Sequence, residues 1–166
     1  TLGDVNYLGN QEDEKLIGGL HLNLIAPAVL MNRFIRAYKH LDCKKVIINV
    51  SSGAAQSPYD GWSMYSSSKA GLDMLTRVAD VEQDIQNLKH PFIIRGVAPG
   101  VVATNMQQHI RNLDKSQFSN IEKFIQLKEN KALYETSEVA EQYIVIFDHA
   151  EKMDNVISRI NMEEDD

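Results

Sequence analysis

The chain has a single cysteine, Cys43, so no disulfide can form within it, and a reducing compartment, the cytoplasm, suits it. No histidine lies at a motif spacing from Cys43, which argues against a thiol nucleophile. The five histidines show no His-x-x-x-His pattern and no spaced carboxylate partner, so no metal site is expected. No apolar run reaches the roughly 18–20 residues of a membrane span. No charged segment followed by an apolar stretch opens the chain at Thr1-Leu-Gly-Asp-Val5, so no signal peptide is expected. Basic residues are in deficit: the net charge is −6, with acidic runs at Glu12-Asp-Glu14 and Glu163-Glu-Asp-Asp166. With neither a basic patch nor an aromatic-interleaved basic stripe, nucleic acid and anionic membrane are poor partners.

What is present suits one globular domain. At 166 residues, 43% hydrophobic and 24% charged, the chain can bury a core. It carries no repeat, no low-complexity segment and no linker, so residues 1–166 read as a single domain with an acidic tail over 161–166. Residues 1–11 read as a loop. From about 12 to 39, Leu16, Leu20, Leu24, Val29, Phe34 and Tyr38 recur at helical intervals, and Pro27 should kink or divide the run. Lys45–Val50 and Pro91–Ala98 are β-branched runs without alternation, as in strands buried on both faces of a parallel sheet. A helix is expected over about 63–87, with Leu72, Leu75, Val78 and Ile85 facing inward. Short helices are expected over 104–113 and 118–129. Thr136-Ser-Glu-Val139 opens another helix with a cap-like start, and a weak strand follows near 156–160. Alternating helices and buried strands predict an α/β fold with parallel strands in the order 45–50, 92–98, 156–160.

Chemistry concentrates at the ends of those strands. Tyr65 and Lys69 stand four residues apart on the long helix and share a face. A lysine ammonium beside a phenol favours the phenolate and lowers a pKa that is normally about 10. Such a tyrosine can pass a proton to and from a carbonyl oxygen. The pair alone is a common pattern on solvated helices. Ser52, thirteen residues before Tyr65 at a strand end, adds a hydroxyl that could hold the same oxygen. The turn at Pro99-Gly100 ends the next strand on the same edge, where open parallel sheets bind ligands.

Five elements in chain order resemble the short-chain dehydrogenase/reductase family: Asn23, Ser52, Tyr65, Lys69, and Pro99-Gly-Val-Val-Ala-Thr104. Within the family, Ser51-Ser-Gly-Ala-Ala55, Gly61-Trp62, Lys69-Ala-Gly-Leu-Asp-Met-Leu75 and Ala98–Gln107 are most similar to sepiapterin reductases and bacterial benzil reductases. The resemblance implies the C-terminal two-thirds of a doubly wound, Rossmann-like, three-layer fold. It implies reduction of a small ketone or dicarbonyl with NADP(H). Tyr65 would donate the proton, and Lys69 would tune it and hold the nicotinamide ribose. Ser52 would polarise the carbonyl, and Asn23 would hold a water linking Lys69 to solvent. Pro99, Gly100, Val102 and Thr104 would cradle the nicotinamide. Trp62 and Met106 would either line the substrate pocket or pack the core. A homodimer through the helices at 12–39 and 63–87 is also implied.

The chain departs from the family pattern in two ways. The Gly-rich diphosphate turn and the Asn-Asn-Ala-Gly segment do not occur in it, so the chain alone is expected to bind a dinucleotide poorly and to lack turnover. Where sepiapterin reductases carry a pterin-anchoring Asp, the alignable position is Ser158, which favours a general ketone or dicarbonyl substrate over a pterin. The alternative is a non-catalytic protein that keeps the fold as an interaction surface.

Overall fold

A computed structural model describes residues 1–86 and 88–162. Asn87, the expected end of the long helix, and the acidic run Glu163–Asp166 lie outside the described residues. The helices are α1 (Asp13–Leu20), α2 (Ala26–Tyr38), α3 (Ser63–Ile85), α4 (Asn105–Arg111), α5 (Ile121–Glu129) and α6 (Thr136–Asp148). The strands are β1 (Lys45–Val50), β2 (Phe92–Ala98) and β3 (Ile157–Arg159). The three strands form one parallel sheet in the order β1-β2-β3, with Ile47 opposite Ile94 and Val97 opposite Ser158.

The sheet is sandwiched between helices. On one face, Phe92 and Ile94 pack with Met31 of α2 and Ala79 of α3. On the other, Val97 and Ile160 pack with Val139 of α6. This two-sided burial explains the unalternated apolar strands. A third cluster lies beyond the strand ends, where Trp62, Phe118 and Phe124 gather with Leu2, Val5 and Ile110.

The helical run over 12–39 is divided beside Pro27, as expected: a π-helical turn, His21–Ile25, separates α1 from α2, and Pro27 falls in the first turn of α2. Two details differ from the expectations. The first concerns α3. Leu72 is buried and Leu75 packs against the core, but Val78 is 47% and Ile85 75% exposed. The inner face is carried by small and polar residues: Ser68 and Thr76 donate to backbone carbonyls one turn back, and Gln83 Oε1 accepts from the Phe92 N–H. Polar groups satisfied in this way bury without penalty, so an apolar-only reading misplaces the stripe. Finally, β3 is only three residues long. No helix among the described residues is long and apolar enough to cross a membrane.

Candidate active site

A cavity of about 690 Å³ opens at the carboxyl ends of the strands. Ser52, Trp62, Tyr65, Lys69, Pro99, Gly100, Val102, Thr104 and Met106 all line it. Asn23 does not. Its Oδ1 accepts from Thr1 N at 2.8 Å, and its Nδ2 donates to Thr1 O at 2.7 Å and to Ser68 Oγ at 3.2 Å. The side-chain amide thus joins the Thr1 backbone to α3.

Each site residue is held by local structure. Ser52 caps a 3₁₀ turn after β1, accepting from the Ala54 N–H at 3.2 Å, so its own O–H is free to donate. Tyr65 sits one turn into α3 with its ring edge-on to Trp62 at 5.7 Å. Trp62 in turn stacks on Phe118 at 4.9 Å with planes 4° apart. The Pro99–Thr104 loop is fastened by a parallel bridge between Val102 and Tyr134, with bonds Tyr134 N to Val101 O and Ala103 N to Tyr134 O, both 2.9 Å. At Gly100 φ is +80°, and an added Cβ would stand 2.5 Å from the Tyr134 ring, so no larger residue fits the turn. Thr104 precedes α4 without capping it, leaving its hydroxyl available.

The electrostatics correct one expectation. Burial pushes the Tyr65 phenol above its ordinary value, and the neighbouring Ser52 hydroxyl opposes the shift. The Lys69 Nζ lies over the Tyr65 ring, 6.0 Å from its centroid, and donates to Val50 O at 2.8 Å. Burial pushes the Lys69 ammonium down, with Asp73, one turn further on, opposing. Helical spacing put the two side chains on one face; it carried no information about the strand-end carbonyl that captures the ammonium.

Sequence reading missed Tyr59, Lys123, Phe124, Leu127 and Arg159, which also line the cavity. The signal for Tyr59 was its place three residues before Trp62; the rings pack at 4.9 Å. Arg159 was legible only as an interruption of a weak strand. A second cavity, about 300 Å³, adjoins the first and shares Ser51, Ser52, Gly53, Tyr59 and Arg159 with it.

Residues 5–115 match the family model described as short chain dehydrogenase. A benzil reductase ((S)-benzoin forming) of Bacillus cereus is 39% identical over 140 residues, covering 84% of this chain and 55% of the relative. A sepiapterin reductase of Xenopus tropicalis is 30% identical over 110 residues, covering 64% of this chain and 40% of the relative. A solved short chain dehydrogenase/reductase from Saccharomyces cerevisiae superposes with a TM-score of 0.83 at 25% identity, covering 98% of this chain and 63% of that one. The chain spans about half the length of the benzil reductase it matches.

Proposed function

The chain belongs to the short-chain dehydrogenase/reductase family, and on that premise we propose that the protein carrying it is an NADPH-dependent carbonyl reductase acting on a ketone or dicarbonyl. The observation that carries the reading is the meeting of Ser52, Tyr65 and Lys69 on the lining of one cavity. A carbonyl oxygen there would accept from both hydroxyls. Ser52 polarises it, and Tyr65 transfers its proton to it as the carbonyl becomes an alcohol. A phenol held neutral by burial is in the form that reduction requires.

The residues fit the nicotinamide half of the cofactor. The Lys69 ammonium and the Thr104 hydroxyl are donors suited to ribose and carboxamide, and the Pro99–Val102 backbone is fixed beside them. Bound there, the reduced nicotinamide supplies hydride. Among the described residues no Gly-rich turn serves a diphosphate, and we assign that half to sequence beyond this segment, consistent with the relatives' greater length. The reading includes a single domain, a cytoplasmic setting and a homodimer through α1–α2 and α3.

The test is consumption of NADPH by the natural-length protein with benzil. Steady alcohol formation supports the reading; failure to bind any nicotinamide would replace it with a non-catalytic interaction protein.

A further inference from the structure

The two adjoining cavities differ from the rest of the molecule in charge. The chain has 23 acidic against 17 basic residues, yet neither cavity is lined by a single Asp or Glu among the described residues. Lys69, Lys123 and Arg159 line the larger one, and Arg159 also lines the smaller. Two of the three cations are engaged: Lys69 with Val50 O, and Lys123 with the Tyr59 hydroxyl at 3.0 Å and its ring face at 5.1 Å. Arg159 has neither an ion pair nor a side-chain hydrogen bond among the described residues, although ion pairs occur elsewhere on the surface. Its guanidinium lies beside Gly53, where an added Cβ would stand 3.7 Å from Nη1. Around it the smaller cavity presents the Ser57 and Ser158 hydroxyls and the Gln56 amide.

A guanidinium facing a recess of hydroxyl and amide donors, with no carboxylate among the described residues that line it, is arranged for an oxyanion. On the other side of Ser52 the larger cavity is aromatic, walled by Tyr59, Trp62 and Phe124. Ser52 and Arg159 both line both cavities, so the oxyanion position and the carbonyl position adjoin. We propose that Arg159 is a substrate-selecting residue that binds the carboxylate of an aromatic keto acid whose carbonyl lies one or two bonds away, at Ser52 and Tyr65. This rests on the reductase reading above and narrows its substrate class. A cofactor phosphate has the same chemistry as a carboxylate, and the test separates the two.

The experiment compares phenylglyoxylate with its methyl ester in the natural-length protein, in wild type, Arg159→Gln and Arg159→Lys. The acid-to-ester ratio of kcat/KM is expected to fall at least about ten-fold in Arg159→Gln, about 1.4 kcal/mol, and to recover in large part in Arg159→Lys. The loss should appear in the KM of the acid, which should also rise with salt. An unchanged ratio overturns the proposal, and so does a loss that appears in the KM of NADPH instead. If the ester is reduced and the acid is not, the reductase reading stands and this inference falls. If neither turns over, calorimetry of phenylglyoxylate binding decides: binding lost in Arg159→Gln upholds the site, and binding indifferent to Arg159, or absent, overturns it.

Discussion

Tyr65 and Tyr143 show what burial does to a phenol at two depths of one fold. The Tyr143 hydroxyl donates to Val97 O at 2.8 Å, and burial pushes its pKa up to about 12. Between an unfolded value near 10 and that folded value, the folded chain keeps a proton that the unfolded chain has lost. This stabilisation is complete below pH ~10 and is lost as pH rises toward 12. The urea midpoint should therefore drop across that range, and Tyr143→Phe should flatten the drop. Tyr65 is pushed in the same direction, so some slope should persist in that variant. At Lys69 the bond to Val50 O predicts a different signature. Lys69→Ala should weaken nicotinamide affinity and slow reduction together, because one ammonium both orders the strand end and serves the cofactor; steady-state kinetics with both ligands varied would separate the two losses. Spacing made Ser52, Tyr65 and Lys69 legible in the sequence. The partner of Lys69 and the occupation of Asn23 by Thr1 were not, because both are set by backbone groups brought together only in the fold.

Among the elements, α3 and the loop before it do most to place the site. Gly61 has φ +71°, and a Cβ there would stand 2.3 Å from Gln117 O, a backbone atom that cannot swing aside. The same corner is tied by Asp60, whose carboxylate accepts from Ser119 N–H at 2.7 Å and from Asn120 Nδ2 at 3.0 Å. These bonds hold Phe118 under Trp62 and so fix the wall against which Tyr65 rests. Gly61→Ala should cost about 2–4 kcal/mol, from left-handed backbone strain and displacement of the 114–120 segment. A thermal melt should show a fall of roughly 5–15 °C. The aromatic wall should loosen as well, visible as a shift in Trp62 fluorescence. Strand positions were readable because β1 and β2 are apolar on both faces. The orientation of α3 was not, because its buried side includes Ser68, Thr76 and Gln83, which look like surface residues until their backbone partners are known.

For the whole molecule, two residues that the sequence placed inside α3, Val78 and Ile85, join Met74 and Val81 in a stripe outside it. Met74, Val78, Val81 and Ile85 are 60%, 47%, 56% and 75% exposed at intervals of four, three and four, one continuous helix face. Leu22, Ile25 and Val29 make a comparable run on the neighbouring helical segment. Apolar stripes of this kind suit the proposed homodimer. In the natural-length protein, Met74→Glu with Val81→Glu should convert a dimer to a monomer by sedimentation at micromolar concentration; a wild-type monomer would contradict that part of the account. Across scales the central claim is that this cavity reduces a carbonyl with Tyr65 as the proton donor. Its most direct test is NADPH-dependent benzil reduction by Tyr65→Phe in the natural-length protein, with NADPH affinity measured alongside. The account predicts a loss of at least about a hundred-fold in turnover, as for removal of a general acid, with cofactor affinity retained within about three-fold. Turnover kept within ten-fold of wild type would contradict it.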